Sequence, residues 1–207
     1  MNLDEISQKA LIDAYLESLS VDVSKLLQAD SEPIALLHCN DCDLKWYRPA
    51  PAGDPAFYEA LQQHDWYYQD DKPEYSYAAK FVRVGMSVLE VGCGKGAFTK
   101  FLPKGASFRG LEFNEEAVKK GRSAALRIDI ESVEDHAITH AGTYDAVCHF
   151  QVLEHVTDPS QFLNACTSLL KPGGILIVAV PSEDSFLSIT EGGYLNMPPH
   201  HLTRWSD

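Results

Sequence analysis

The chain has 207 residues, 45% of them hydrophobic and 23% charged, which is typical of a globular domain with its own core. Acidic residues number 30 and basic residues 17, so the formal net charge is −13. Because this charge repels phosphate groups and the basic residues are scattered, neither nucleic acid nor a membrane is expected as a partner. No apolar run reaches the length of a membrane span and the acidic N-terminus lacks a signal-peptide pattern, so a cytoplasmic location is expected.

The first twenty residues carry apolar side chains at helical spacing. Leu3, Ile6, Ala10 and Ala14 recur every three or four positions, with acidic residues among the polar positions between them. This period predicts an amphipathic helix over residues 1–20. We expect it to be an arm that packs on the chain or contributes to a homodimer.

A Cys-x-x-Cys pair lies between two short apolar runs. Cys39 and Cys42 are flanked by residues 34–37 and 44–47, which is the order of half a zinc ribbon. Structural zinc normally has four ligands, but no cysteine precedes Cys39 and the next one, Cys93, lies in a glycine-rich turn. A metal-free, vestigial hairpin is therefore expected, with zinc completed by a histidine or by a second chain as the alternative.

Proline and glycine residues form a linker before Asp54. A domain boundary is expected there, between an N-terminal segment of residues 1–53 and a main domain of residues 54–207. Within the main domain, helices are predicted over residues 55–64 and 75–82.

The centre of the main domain is a strand, a tight turn and a helix start within residues 87–98. A short apolar run contains Glu90 near its end and is followed by Gly92, Gly94 and Gly96. Side chains in the turn would keep the backbone from approaching a ligand, and a helix N-terminus presents free N–H groups to a negative charge. The segment therefore predicts a turn that binds a ligand through an anionic group.

Two ligand-binding patterns overlap in this turn. Gly92-x-Gly94-x-x-Ala97 fits the dinucleotide fingerprint, whereas Glu90-x-Gly92-x-Gly94-x-Gly96 is the arrangement of class I methyltransferases that bind S-adenosylmethionine. The glycines alone do not distinguish the two ligands.

An acidic residue ends the next predicted strand, residues 107–111. Glu112 follows Gly92 by roughly the distance at which an acid accepts both hydroxyls of a ribose, because a carboxylate offers two acceptor oxygens. Glu112 is therefore predicted to contact the cofactor. A short third strand is predicted over residues 124–128, with Asp129 directly after it.

Two further passages carry a family resemblance. A predicted fourth strand, residues 144–150, precedes Leu153-Glu154-His155-Val156, and the turn Lys171-Pro172-Gly173-Gly174 precedes an apolar fifth strand over residues 175–180. In series with the glycine turn, they resemble the class I S-adenosylmethionine-dependent methyltransferase superfamily, of the small-molecule type, over residues 66–207. A dinucleotide dehydrogenase has no particular need of these passages.

The resemblance implies an α/β fold, with a Rossmann-like doubly wound sheet of strand order 3-2-1-4-5 and a helical N-terminal arm. Related enzymes continue with two more strands, which are expected to be missing here. The implied function is transfer of a methyl group from S-adenosylmethionine to an O, N or C nucleophile of a small-molecule acceptor. A nicotinamide-dependent oxidoreductase and a non-catalytic cofactor-binding or interaction module are the alternatives.

The resemblance also implies roles for single residues. In similar methyltransferases an acid after the third strand binds the adenine amino group and the next residue packs on the ring, which assigns these roles to Asp129 and Ile130. Gln151, together with Phe150, would line the methionine end of the cofactor. An aromatic residue among 66–68 would either fold over the sulfonium cation or only cover the core.

Three histidines are candidates for proton handling. His155 follows the fourth strand, and His200 and His201 end a long loop before Trp205, as in a similar proline-histidine segment of family members. An imidazole has an unshifted pKa near neutrality, so each could be a general base or orient the substrate. The alternative is that they only hold the loop by hydrogen bonds. No metal ligand is predicted in this domain.

Overall fold

The computed structural model describes residues 2–64, 67, 69–185 and 193–207, so Trp66 and Tyr68 lie outside the described residues. The strands in these ranges are β1 (Asn2–Ile6), β2 (Ile34–His38), β3 (Lys45–Arg48), β4 (Ser87–Val91), β5 (Ser107–Leu111), β6 (Ile128–Asp129), β7 (Tyr144–Phe150), β8 (Leu170–Ala179) and β9 (Thr203–Arg204). The α-helices are α1 (Gln8–Leu19), α2 (Pro55–Leu61), α3 (Pro73–Ala78), α4 (Glu115–Ser123), α5 (Val133–His140) and α6 (Pro159–Ser168).

The chain divides into two compact units. The first comprises Met1–Tyr67, Leu153–Thr157 and Val180–Asp207, and the second comprises Tyr68–Val152 and Asp158–Ala179. The domain boundary expected at Asp54 stays a prediction. Among the described residues, no helix is long and apolar enough to cross a bilayer.

The second unit contains a five-stranded parallel sheet. Its order is β6-β5-β4-β7-β8, which is 3-2-1-4-5 when the strands of this unit are counted along the chain. The predicted fold class is therefore confirmed. The central strand β4 pairs with both β5 and β7, so that Leu89 lies between Arg109 and Val147. Because such strands are covered on both faces, β4 is buried from Val88 to Val91 and apolar there except at Glu90. Open sheets of this kind place ligands at the carboxyl ends of their strands.

Aromatic packing joins the segment after β4 to the strand β7. The rings of Tyr75, Phe98 and Phe150 pack with centroids 5.0–5.5 Å apart, and Phe98 is fully buried. Aromatic pairs in this range contribute about 0.5–1.5 kcal/mol beyond the area they bury. They hold the residues that follow the glycine turn against the sheet.

A charged cluster joins the amino-terminal ends of three strands in the second unit. One oxygen of Asp145, Oδ2, accepts hydrogen bonds from Nζ of Lys171 at 2.7 Å and from both the backbone N–H and the hydroxyl of Ser87 at 2.8 Å. The bond from Lys171, followed by those from Ser87, holds the pKa of Asp145 down at about 2. These bonds connect β4, β7 and β8.

Replacing Asp145 by Asn should lower the free energy of unfolding at pH 7 by about 1 kcal/mol, since solvent screens a partly exposed ion pair. The folded state depresses the pKa, so the stabilisation is complete above the unfolded pKa, about 3.9, and is lost as the pH falls through about 2. Urea unfolding at pH 7 and near pH 2 checks this: the two proteins should differ at the higher pH only. The exposed Asp30, changed to Asn, is the control, and an equal loss there would contradict the assignment.

The first unit is built on a four-stranded antiparallel sheet, in the order β1-β2-β3-β9. Helix α1 contributes Leu11 and Tyr15 to its core, and both side chains are buried. The hydroxyl of Tyr15 donates to the backbone oxygens of Tyr194 and Met197, at 3.1 and 3.3 Å. These bonds fix the segment before the paired histidines.

The predicted N-terminal helix is wrong over Asn2–Ile6. Asn2–Ile6 is a strand that pairs antiparallel with β2, and the helix begins only at Gln8. Ser7 is the cap: its hydroxyl accepts from the backbone N–H of Ala10 at 3.4 Å. The long-range pairing with β2 overrides a local period that suits a helix.

The Cys-x-x-Cys segment lies in the predicted hairpin between β2 and β3. The backbone N–H of Cys39 donates to Leu44 at 2.9 Å, and that of Asp43 donates back to Cys39 at 3.0 Å. Cys39 and Cys42 are free thiols, and hydrogen bonds from the backbone of Asp41 and Cys42 lower the pKa of Cys39. Whether this hairpin holds zinc stays a prediction.

Several predicted boundaries are corrected by the structure. The third strand is β6, two residues long, so Asp129 belongs to the strand and does not follow it. The fifth strand begins at Leu170, five residues before the predicted start, and the Pro-Gly-Gly run lies inside it at an irregularity in the pairing with β7. Helix α2 ends at Leu61, three residues before the predicted His64.

Candidate functional site

The glycine turn at the carboxyl end of β4 has the backbone conformation that its sequence predicts. Gly92, Gly94 and Gly96 have φ angles of +69°, +54° and +81°, in the left-handed region that side chains disfavour. A methyl group at Gly92 would lie 2.5 Å from Cγ2 of Val152, closer than carbon atoms pack. Glycine is therefore required at Gly92 both by its φ angle and by its close neighbour.

The helix predicted after the turn is a short 3-10 segment, Ala97–Phe101, and not an α-helix. The backbone N–H of Thr99 bonds back to Gly96 at 3.2 Å, and its hydroxyl donates to the same oxygen at 2.6 Å. This segment is too short for a helix dipole of any size. The N–H groups of Gly92, Gly94 and Gly96 already donate to Leu111, Glu112 and Cys93, so the turn favours a ligand through the close approach of its backbone and not through free N–H groups.

Glu112 holds the glycine turn through its carboxylate. Oε2 accepts from the backbone N–H of Gly94 at 2.8 Å, and Oε1 accepts from that of Asn114 at 2.8 Å. The two bonds fix the orientation of the carboxylate beside the turn. Each carboxylate oxygen has two lone pairs, so both can also accept a hydroxyl of a bound ribose, as predicted.

Glu90 is buried in the strand that leads into the turn. Its side chain is 1% exposed, and Oε2 has no hydrogen-bond partner among the described residues. Burial raises the pKa of Glu90 well above its usual range, with the negative charge of Glu112 adding to the effect. An unpaired buried polar atom at this place marks a position where a ligand would supply a partner.

The predicted adenine contacts lie at the end of β6. Oδ2 of Asp129 accepts from Nε of Arg109 at 2.6 Å, which orients the carboxylate, and about a third of its side chain is exposed. Ile130 is 47% exposed, unusually much for an isoleucine directly after a buried strand. Both side chains remain accessible to a ligand in the structure.

Gln151 directly follows the central strand β7 in a strained conformation. Its φ is +58°, and its side-chain amide lies 3.5 Å from the carboxylate of Glu74. Non-glycine residues adopt this region at a cost, and such residues cluster at functional sites. Phe150 is 4% exposed in the aromatic cluster, which favours packing as its role. Glu74 was not predicted, since nothing in its local sequence marks it.

The structure brings all three predicted histidines together in the first unit. The ring centroids of His155, His200 and His201 lie 4.5–4.8 Å apart, and His200 and His201 are each 8% exposed. Burial lowers the pKa of His200 to about 3 and lowers that of His201 further. The ring of Tyr67, a predicted cofactor cover, lies 6.2 Å from that of His200.

Comparison with known proteins identifies the family. Residues 61–206, well over half of the chain, match the family described as a methyltransferase domain. The chain belongs to this methyltransferase family. A solved structure, a SAM-dependent methyltransferase from Archaeoglobus fulgidus, has the same fold, with a TM-score of 0.56 at 20% identity over 72% of this chain and 68% of that one.

Two curated relatives share the methyltransferase sequence over part of their length. The ubiquinone biosynthesis O-methyltransferase of Cronobacter sakazakii is 41% identical over 97 residues, which are 44% of this chain and 40% of that protein. The protein of the same name from Xanthomonas axonopodis is 38% identical over 109 residues, 49% of this chain and 46% of its own length. The chain therefore spans less than half the length of these relatives.

Membership of this family implies S-adenosylmethionine as the cofactor, and residues of the second unit fit it. Gly92 has no side chain to keep a ligand away from the backbone of the turn. The carboxylate of Glu112 is fixed by its bond from Gly94, and its oxygens keep lone pairs for further donors. Glu90 offers a buried oxygen without a partner among the described residues. A buried acceptor oxygen and a fixed carboxylate are suited to a ligand that carries an ammonium group and a ribose.

Proposed function

We propose that the protein transfers a methyl group from S-adenosylmethionine to a hydroxyl oxygen of a small-molecule acceptor. The observation that carries the proposal is the glycine turn, whose Gly94 N–H is held by Glu112 at the carboxyl ends of the central strands. An oxygen acceptor is favoured over nitrogen or carbon because the matching curated relatives are O-methyltransferases. The negative net charge favours a small acceptor over nucleic acid.

Five residues of the second unit are assigned a contact with the cofactor in this proposal. Glu112 accepts the ribose hydroxyls, while Asp129 and Ile130 receive the adenine ring. Gln151 and Glu90 lie at the ends of the two central strands and bind the methionine part through hydrogen bonds. The cofactor, when bound, supplies a methyl carbon already activated by its sulfonium leaving group, so alignment of the acceptor provides most of the rate enhancement.

Methyl transfer to a hydroxyl oxygen also requires that the oxygen lose its proton. The low pKa of His200 and of His201 means that both imidazoles are neutral and bind a proton weakly, which disfavours them as general bases. The predicted proton-handling role of His155, His200 and His201 stays a prediction, as do the cytoplasmic location and a homodimer.

Calorimetric titration with S-adenosylmethionine and, separately, with NADH tests the cofactor. We expect saturable binding of the first and none of the second. A transfer assay with radiolabelled cofactor then compares phenols and catechols with amines and with transfer RNA, and label should appear in the hydroxyl compounds. Absence of S-adenosylmethionine binding by well-folded protein would refute the proposal, and label only in amines or RNA would refute the acceptor class.

A further inference from the structure

Three imidazoles converge in the first unit from distant parts of the sequence. His155 ends a 3-10 segment, Leu153–His155, while His200 and His201 follow the Pro198-Pro199 pair. One ring nitrogen from each histidine lies within 4.8 Å of one ring nitrogen of each of the other two. This is an unusual way to fill a core, because two buried rings and one half-buried ring, all with polar edges, replace apolar side chains.

The outward nitrogen of each ring is already engaged. Nδ1 of His155 lies 2.6 Å from the backbone oxygen of His200, and Nδ1 of His200 lies 2.8 Å from that of Leu195. Nδ1 of His201 lies 2.8 Å from the side-chain oxygen of Asn196. Since an oxygen acceptor requires a donor, each Nδ1 carries the proton, and each Nε2 of a neutral ring therefore has a lone pair.

This pattern is the one found around metal-binding histidines. A histidine that binds a metal through one nitrogen normally donates its other N–H to a carbonyl or carboxylate, which fixes the ring and makes it a better ligand. Here three neighbouring histidines have that support from three different acceptors.

A carboxylate lies beside the cluster. Oε1 of Glu154, whose side chain is 1% exposed, is 3.8 Å from Nε2 of His155 and 4.0 Å from Nε2 of His201. Both distances end on Nε2, so the Nε2 atoms of His155 and His201 face the same carboxylate. The side chain of His155 is 18% exposed, which leaves an approach for a small ion.

We propose that His155, His200 and His201 form a binding site for a divalent transition-metal ion of the zinc type, with Nε2 of each ring as the ligand atom. Three imidazoles leave a fourth tetrahedral position for water or for an anionic oxygen or nitrogen ligand. Glu154 lies beside this position and offsets the charge of the ion. Ligand nitrogens on a tetrahedral zinc ion lie about 3.3 Å apart, so the ring nitrogens, now up to 4.8 Å apart, would close by up to about 1.5 Å on binding.

The first test is zinc binding by apo-protein in which Cys39 and Cys42 are both changed to Ser, which removes the other candidate zinc site. Calorimetric titration with zinc chloride should give one bound ion per chain. Changing either His155 or His201 to Gln should weaken binding at least 100-fold. Changing His140 to Gln, a histidine that pairs with Arg109 in the second unit, is the matched control and should leave zinc binding unchanged.

Cobalt substitution provides a readout that needs no histidine variant. Four-coordinate cobalt(II) bound by imidazoles absorbs visible light strongly, so the Cys39→Ser/Cys42→Ser protein should turn blue on saturation with cobalt(II) chloride. Circular dichroism establishes that each variant is folded. Failure of the folded double variant to bind zinc, weak six-coordinate cobalt absorption, or full zinc affinity after both histidine changes would each overturn the proposal.

The proposed metal site and the proposed methyl transfer can be refuted independently of each other. The metal proposal rests only on residues of the first unit, whereas the cofactor contacts proposed above lie in the second. Titration of the same preparations with S-adenosylmethionine therefore distinguishes the two. Cofactor binding without zinc binding overturns the metal site alone, and zinc binding without cofactor binding overturns the proposed function alone.

Discussion

Changing Glu112 to Ala should weaken S-adenosylmethionine binding at least about 100-fold, because two hydrogen bonds to a charged group contribute roughly 1.5–3 kcal/mol each. The carboxylate is fixed before any ligand binds, since its two oxygens accept from Gly94 and Asn114 at 2.8 Å. A ribose diol therefore meets two acceptors already in place, and little entropy is lost in ordering them. Calorimetric titration measures the change in affinity.

The same substitution also removes support for the turn, and controls separate the two effects. Changing Glu112 to Gln keeps the volume and one acceptor oxygen, so its affinity should fall between those of the wild type and the Ala variant. Changing Glu116 to Gln removes the same charge from an exposed position on α4 and should leave affinity unchanged. Equal affinity of the Ala variant and the wild type would rule out the ribose contact.

The central strands were predictable because local pattern and tertiary environment agree there. The strands β4 and β7 occupy the residues expected of them, Ser87–Val91 and Tyr144–Phe150, since both are short apolar runs bounded by turn residues and buried on both faces. The order of the sheet was not readable from periodicity. It was available only through the resemblance of several motifs in series.

Edge elements were predicted less well because their structure depends on partners far away in the sequence. The period of the first residues suits a helix, but pairing of Ile6 with Ile34 makes them a strand. The third strand of the parallel sheet, β6, is only two residues long, so its hydrophobic signal is Ile128 alone. No local pattern locates a strand of that length to within a residue.

The residues of the candidate sites also fall into those that local sequence predicts and those that it does not. Glu112 and the three glycines were predictable, since one strand, one turn and a fixed spacing place them. The convergence of His155 with His201 was not, because 46 positions separate them and their contacts depend on how two loops fold. Two of the three rings donate their Nδ1–H to backbone oxygens, and a backbone oxygen cannot be recognised as an acceptor from the sequence.

Changing Gly92 to Ala should abolish measurable S-adenosylmethionine binding and lower the free energy of unfolding by about 2–5 kcal/mol. A left-handed φ of +69° costs a residue with a side chain roughly 1–2 kcal/mol. The overlap of the new methyl group with Val152, at 2.5 Å, costs about 1–3 kcal/mol more unless the turn shifts. A shift of the turn would displace the backbone that the ligand approaches and the Gly94 N–H that orients Glu112, so affinity and stability should fall together.

Two controls distinguish the cost of the left-handed φ angle from the cost of the steric overlap with Val152. Gly142 has a φ of +63° but no atom within 4 Å of the position of an added methyl group, so Gly142→Ala should cost only the strain and should leave cofactor affinity unchanged. Adding Gly92→Ala to a Val152→Ala protein should likewise cost only the strain, because the overlapping methyl group is gone. Urea unfolding and calorimetric titration of the four variants give both quantities. If Gly92→Ala cost no more than Gly142→Ala and still bound the cofactor, close approach at this turn would not be what requires glycine.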